Sequence, residues 1–106
     1  MDLAELQRQH REWLAHNFPG QAPHHGLLGV VEELGELAHA HLKAEQGIRG
    51  YDDEGKTAAE IRDAVGDIVI YLASYCNTNG IDLGACVREA WEQVSRRDWA
   101  AEPETG

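Results

Sequence analysis

Basic residues, cysteines and long apolar runs are all scarce in this chain of 106 residues. Nine lysines and arginines stand against 19 aspartates and glutamates, which gives a net charge of −10. Because nucleic acids and anionic membranes are polyanions, this charge argues against either as the main partner. No apolar run reaches membrane-spanning length, and the N-terminus MDLAELQRQH is too polar for a secretory signal. We therefore expect a cytoplasmic protein that binds neither nucleic acid nor membrane.

The two cysteines, Cys76 and Cys86, are too few and too far apart for a structural zinc site. Both fall in apolar segments, so we expect two reduced thiols in the core. The length fits one domain over residues 1–106, with a frayed tail over 99–106. A domain of this size has a limited core, and assembly into an oligomer would enlarge it.

Hydrophobic periodicity predicts four helices and no strand, hence an all-α, four-helix bundle-like fold. The predicted segments are 3–16, 24–45, 58–77 and 83–97. Asp2 and Asp82 are suited to N-cap the first and fourth helices. Thr57 with Glu60 forms a capping-box pattern ahead of the third helix, and Gly80 is suited to follow its end.

Apolar residues are concentrated on the second and third helices. The stripe of the second helix consists of Leu27, Leu28, Val31, Leu34, Leu37, Ala38 and Leu42. The middle of the third helix, AVGDIVIYLASYC, is apolar on nearly every side. Such a helix is predicted to be buried on more than one side.

Acidic residues recur at helical spacing on the same two helices. Glu32, Glu33 and Glu36 fall within an arc of about 100° on an ideal helix, where like charges repel. Asp63 and Asp67 share a face of the third helix with Glu60. Asp67 stands within the apolar run AVGDIVIYL, where an unpaired acid is costly.

A hard divalent cation between the two helices would resolve this repulsion. Mg²⁺ prefers oxygen ligands and commonly binds substrate phosphates as well, with Mn²⁺ as the alternative ion. The competing interpretation is that these acids form a solvated surface. This explains Glu32 as well as a role in a metal site does, and Glu60 is explained equally well as the acid of the capping box. Glu36 and His39 also match the Glu-x-x-His element of di-iron bundles, although the third helix lacks a second such element.

Several segments together resemble the MazG-type all-α nucleoside triphosphate pyrophosphohydrolases, whose motif reads EExxE, a gap, and ExxD. The resemblance covers roughly residues 24–99. Its segments are EELGE at 32–36, HLKAEQGIRG at 41–50, GDIVIYL at 66–72, CNTNGIDL at 76–83 and VSRRDW at 94–99. The second half departs from the motif, because aligning Asp67 with its aspartate leaves Ala64 at the glutamate position. Either Asp63 substitutes from a neighbouring position, or EIRD, residues 60–63, supplies the ExxD one turn earlier.

The resemblance implies hydrolysis of a nucleoside triphosphate to the monophosphate and pyrophosphate by a homo-oligomer, a dimer or a dimer of dimers. Glu33, Glu36 and Asp67 would hold Mg²⁺, with Asp63 assisting, and Glu32 would orient or deprotonate the attacking water. The predicted substrate-binding residues are Lys43 and Arg49 for phosphate, and Tyr71 and Trp13 for the base. Two rival hypotheses remain, a carboxylate-bridged di-iron protein and a non-catalytic binding or assembly module, which the Ala64 departure favours.

Overall fold

The computed structural model describes all 106 residues, as four α-helices without a strand. The helices are α1 (Leu3–Asn17), α2 (His25–Gln46), α3 (Glu54–Thr78) and α4 (Leu83–Val94). The predicted all-α fold class is therefore confirmed. None of the four combines the length and hydropathy that a bilayer-spanning helix needs.

Three of the predicted helix-end signals are confirmed. The Asp2 carboxylate accepts a hydrogen bond from the Glu5 amide at 2.8 Å, and Asp82 accepts one from the Ala85 amide at 3.0 Å. Gly80 follows the C-cap of α3 with a φ of +67°, in the left-handed region that glycine adopts without strain. Local chemistry thus fixes the start of α1 and the α3–α4 turn.

The predicted capping box at Thr57 is wrong, because α3 begins one turn earlier. Asp53 is the N-cap, and its carboxylate accepts a hydrogen bond from the Lys56 amide at 3.1 Å. Thr57 is buried instead, and its hydroxyl donates to the Tyr51 carbonyl at 3.0 Å. Glu60 is thereby released from any capping role and lies on the second turn of α3.

The C-terminal end also differs from prediction. The fourth helix stops at Val94 rather than at Arg97. Residues 99–106 form exposed turns, in which the Glu102 amide donates to the Asp98 carbonyl at 2.8 Å.

Helices α2 and α3 form an antiparallel hairpin and pack closely at two glycines. A Cβ added at Gly26 would lie 2.5 Å from the Tyr75 nitrogen, and one added at Gly29 would overlap the Tyr71 ring. The absence of side chains at these two positions allows the helices to pack closely. This close packing sets the distance between the acidic faces of α2 and α3.

The remaining helices pack against one end of the hairpin. Ala73, Cys76 and Leu83 form a small core, against which Leu3, Leu6 and Ile81 pack. The Gln7 amide donates to Asn77 and to the Ile81 carbonyl at 3.0 and 2.9 Å, which joins α1 to the α3–α4 turn. Both cysteines are free, but only Cys76 is buried. The prediction of a core thiol at Cys86 is wrong, because Leu83 is the one buried residue of α4.

Most of the apolar side chains that the sequence analysis assigned to the α2 stripe and to the middle of α3 are exposed in the isolated chain. On α3, Val65 is 50% exposed and Ile70 is 42% exposed, so burial on several sides is wrong within one chain. On α2 the buried residues are Gly26, Gly29, Glu33 and Ala40, none of which belongs to the predicted stripe. The hydrophobic periodicity of α2 therefore does not correspond to its packing on α3.

Candidate metal and substrate site

An acidic cavity of about 500 Å³ lies between α2 and α3. Its walls combine the acids of both helices with a few other residues. They are Glu32, Glu33, Gly35, Glu36, His39, Tyr51, Glu60, Asp63, Ala64 and Asp67. The structure therefore brings together every residue predicted to be catalytic or to bind metal.

Three carboxylates of α2 form the tightest group in the cavity. Glu32, Glu33 and Glu36 each place one oxygen within 4.8 Å of the others. Glu32 and Glu36 are exposed, whereas Glu33 is only 8% exposed. The buried Oε2 of Glu33 has no hydrogen-bond partner. A buried acceptor without a donor is costly, so Glu33 lacks the partner that would offset its burial.

The electrostatics of Glu33 reflect this conflict. Burial raises the pKa of the Glu33 carboxyl above its ordinary value of 4.5, and the adjacent Glu36 raises it further. The negative charges of Asp67 and Glu32 act in the same direction. Each cause disfavours the ionised form, and a cation among these groups would reverse their combined effect.

The α3 wall of the cavity contains both candidate replacements for the motif glutamate that is missing at Ala64. Glu60, Asp63 and Asp67 all line the cavity, and the small Ala64 lies among them. Glu60 and Asp67 are half-buried, and Asp63 is exposed. Both candidate replacements for the missing glutamate therefore face the same space. Asp67 lies outside the tight three-carboxylate group but contributes to the charge that acts on Glu33.

One aromatic residue of the cavity, Tyr51, was missed by the sequence analysis, which considered His39 only as a possible di-iron ligand. The Tyr51 phenol interacts with the Glu60 carboxylate as a hydrogen-bond partner, which raises the pKa of Tyr51 above 10.0. Its ring meets that of His39 edge-on, with centroids 5.7 Å apart. Tyr51 belongs to the loop between α2 and α3, and nothing in the spacing of GIRGYDD indicates that it reaches the acids.

A second and larger cavity, of about 780 Å³, shares Glu32, Glu33 and Asp67 with the first. Its other walls come from α1, the 18–24 loop, α2 and α3. They include His10, Trp13, Phe18, Gln21, Leu28, Ile70, Tyr71 and Ser74. The two residues predicted to contact a base, Trp13 and Tyr71, are thus brought together beside the acids.

The polar groups of the second cavity include one that sequence reasoning missed. The Gln21 Oε1 is buried and has no hydrogen-bond partner. Its position in the loop NFPGQAP is a common one for a solvated polar residue, so the sequence carries no signal for it. An aromatic-walled cavity with an unpaired amide oxygen suits a planar ring that carries an N–H donor.

The two predicted phosphate-binding cations lie elsewhere. The Lys43 ammonium donates to the Gln46 side chain at 2.9 Å, and Lys43 lines neither cavity. Arg49 is exposed in the α2–α3 loop, with a φ of +57°, and is also outside both cavities. Within one chain, no lysine or arginine lines the acidic cavity.

The donor set of the acidic cavity fits a hard divalent cation. It offers carboxylate oxygens from two helices, one of them buried without a partner, and room for water and phosphate. It includes no thiol and one imidazole, that of His39, whose nitrogens lie outside the tight carboxylate group. Oxygen ligands of this kind favour Mg²⁺ or Mn²⁺ over softer metals. Comparisons with protein-family models, curated proteins and solved structures give no match to this chain.

Proposed function

We propose that this protein is a Mg²⁺-dependent nucleoside triphosphate pyrophosphohydrolase, with Mn²⁺ as the alternative ion. The observation that carries the proposal is the buried Glu33 carboxylate, whose Oε2 has no hydrogen-bond partner, within a three-glutamate group that faces the acids of α3. Burial and the neighbouring negative charges disfavour the ionised form of Glu33, and a divalent cation would supply the positive charge that offsets both. The resemblance of EELGE and GDIVIYL to the MazG-type enzymes names the reaction.

Each acid has a role that follows from its exposure and position. Glu33 and Glu36 on α2, with Asp67 on α3, would hold the metal. Asp63 and Glu60 would accept hydrogen bonds from its water ligands. When bound, Mg²⁺ supplies charge neutralisation at the phosphate oxygens. Glu32 is exposed and lines both cavities, so its carboxylate can orient or deprotonate a water between metal and substrate.

The second cavity would bind the nucleoside part of the substrate. Trp13 and Tyr71 offer aromatic surfaces for the base, and Gln21 offers an unpaired acceptor. Because Glu32, Glu33 and Asp67 line both cavities, a base bound among these aromatics places its phosphates at the acids. Lys43 and Arg49 remain predictions as phosphate ligands, since neither lines a cavity of the isolated chain.

The di-iron alternative keeps one supporting observation, which is that His39 lines the acidic cavity with Glu36. Its nitrogens lie outside the tight group of carboxylates, and α3 contains no histidine. Iron content after purification and an absorption spectrum in air separate this alternative from the hydrolase. A non-catalytic module, the other alternative, would bind nucleotide and metal without turnover.

The decisive experiment measures pyrophosphate release from a panel of canonical and modified ribo- and deoxyribonucleoside triphosphates with Mg²⁺. We expect at least one substrate to yield its monophosphate and pyrophosphate. Glu36→Gln should abolish turnover and weaken Mg²⁺ binding while the helical content is retained. The matched control is Glu89→Gln, which removes the same charge from α4 outside both cavities. Absence of cleavage by folded, metal-loaded protein, or full turnover by Glu36→Gln, would refute the proposal.

We further propose that the enzyme acts in the cytoplasm as a homo-oligomer. The radius of gyration is 17.3 Å, whereas a compact domain of this length has one of about 13 Å. The isolated chain is thus too extended to bury its own apolar residues. Contacts between copies would complete the core that a single chain leaves open.

A further inference from the structure

A network of side-chain hydrogen bonds joins α1 to the end of α3 and permits only one arrangement of its donors and acceptors. The Asn77 Oδ1 accepts hydrogen bonds from the Gln7 amide at 3.0 Å and from the Arg11 guanidinium at 3.2 Å. Because a guanidinium only donates, this atom is the carbonyl oxygen of Asn77 and not its nitrogen. The Asn77 Nδ2 donates to the backbone carbonyl of Gln7 at 2.9 Å, and a carbonyl only accepts. Two independent partners thus fix the orientation of the Asn77 amide.

The same amide determines which ring nitrogen of His10 carries the proton. The Asn77 Nδ2 also lies 3.5 Å from the His10 Nδ1. If Nδ1 carried a hydrogen, two donors would face each other, so Nδ1 must present its lone pair. We therefore assign the proton of the neutral imidazole to Nε2. His10 is only 8% exposed, and this burial lowers its pKa, which favours the neutral ring.

The N–H group of His10 has no partner inside the chain. Its Nε2 forms no hydrogen bond, and the only buried side-chain atoms without one belong to Gln21 and Glu33, so Nε2 is open to solvent. His10 lines the second cavity beside Trp13, with ring centroids 5.7 Å apart. Gln21, whose buried Oε1 is unpaired, lines the same cavity. The cavity thus combines an oriented donor and an unpaired acceptor with an aromatic wall.

We propose that the second cavity recognises the hydrogen-bonding edge of a nucleobase, with the His10 Nε2–H as donor and the Gln21 Oε1 as acceptor. Asn77 is a positioning residue, because it fixes the His10 tautomer without contacting the base. In taking the ligand of this cavity to be a nucleobase, we rely on the proposed function. The assignment of donor and acceptor depends only on the hydrogen bonds of the chain itself.

This donor and acceptor select a class of substrate. The unmodified bases all present an acceptor beside an N–H donor on their pairing edge, whereas methylation of the edge nitrogen removes the donor. A base without that N–H would leave the buried Gln21 oxygen unpaired. A site that is built to bind such a group discriminates strongly against an analogue that lacks it. We therefore expect the protein to act on triphosphates with an intact base edge and to reject those methylated there.

The first test measures the tautomer of His10 and needs no ligand. Nitrogen-15 NMR of the imidazole should show a protonated Nε2 and an unprotonated Nδ1 at neutral pH. Asn77→Asp replaces the donor that faces Nδ1 by an acceptor, so it should place a proton on Nδ1. The control signal is that of His16, an exposed histidine of the same helix, which should not change. A wild-type His10 protonated at Nδ1, or an Asn77→Asp protein with the wild-type tautomer, would overturn the assignment.

The second test measures the binding of the four common 2′-deoxynucleoside monophosphates by calorimetry. His10→Phe keeps an aromatic ring beside Trp13 but removes the donor, so it should weaken binding of the tightest ligand about five-fold or more. The matched control is His16→Phe, the same change outside both cavities, which should leave the affinity unchanged. No binding of any of the four, or equal affinities for the wild type and His10→Phe, would refute the proposal.

The third test removes the donor of the base instead. The tightest ligand is compared with its counterpart in which the N–H groups of the base edge are methylated. The wild-type protein should bind the methylated form about five-fold more weakly or worse, and Gln21→Leu should reduce this preference. Equal binding of the two ligands by the wild type would exclude Gln21 as an acceptor for the base. Because no test here involves turnover, a protein that binds as expected but cleaves no triphosphate would refute the hydrolase alone.

Discussion

Replacing Gly26 by alanine tests whether the close α2–α3 packing holds the fold and the site together. The new Cβ would lie 2.5 Å from the Tyr75 nitrogen, 2.8 Å from the Tyr75 Cα and 3.0 Å from the Tyr71 carbonyl oxygen. All three are backbone atoms, so no side-chain rotation relieves the contact and one helix must shift. Overpacking of this kind costs about 1–3 kcal/mol, against a gain of up to about 1 kcal/mol from the better helix propensity of alanine.

We therefore expect Gly26→Ala to lower the free energy of unfolding by roughly 1–2 kcal/mol, which corresponds to a fall in Tm of about 4–16 °C. The matched control is Gly66→Ala, since no heavy atom lies within 4 Å of its new Cβ. It should raise stability by up to about 1 kcal/mol. Thermal and urea unfolding followed by circular dichroism measure both, at one protein concentration because assembly shifts Tm.

The same shift has a consequence for the metal site. Moving α2 from α3 separates Glu33 from Asp67, so Gly26→Ala should also weaken Mg²⁺ binding, whereas Gly66→Ala leaves this spacing intact. Equal stability of the two variants would refute the reasoning from close packing. Lower stability with unchanged Mg²⁺ affinity would show that the helix spacing does not control the site.

Two further predictions concern the start of α3 and the buried acid. Asp53→Ala removes the N-cap of α3, so it should lower the free energy of unfolding by about 1 kcal/mol and increase amide hydrogen exchange at Lys56. Unchanged exchange at Lys56 would indicate that the helix is capped at Thr57 instead. Because the pKa of Glu33 is raised in the folded chain, the metal-free protein should lose stability as the pH rises from 4.5 through the folded value. If Mg²⁺ binds at this site, it should raise the Tm of the wild-type protein. Glu33→Gln should remove both this rise and the loss of stability with pH, whereas Glu89→Gln should keep both. Identical pH profiles of stability for the wild type and the two variants would contradict the assignment.

Local signals were sufficient for the helices and for most of their ends. Asp2, Asp82 and Gly80 act through atoms within a few residues, so the sequence alone indicates them. The prediction that Thr57 caps α3 failed because Asp53 can cap the same helix one turn earlier. In the structure the Thr57 hydroxyl is used in a tertiary hydrogen bond to the Tyr51 carbonyl, and Asp53 is the cap. Competing caps a turn apart cannot be ranked from local spacing.

The acidic site was predictable in its members but not in its organisation. Helical spacing places Glu32, Glu33 and Glu36 together in any α-helix, whatever surrounds it. Only packing shows that Glu33 is the buried one, and that Glu60 and Asp63 both share its cavity with Asp67. Tyr51 and Gln21 lie in loops between helices, so their contacts depend on loop paths that local spacing does not specify.

The sequence by itself determined four helices, the N-caps of α1 and α4, an acidic face and an apolar stripe on α2, because each depends on residues within one or two turns. The tertiary structure decided which face of α2 meets α3. The glycines at 26 and 29 permit a closer approach than the bulky stripe does, so the glycine face packs inward. That choice buries Glu33 beside the acids of α3 and leaves every leucine of the stripe except Leu37 exposed. Periodicity specifies which residues share a face, whereas the shapes of two surfaces in contact specify where that face is directed.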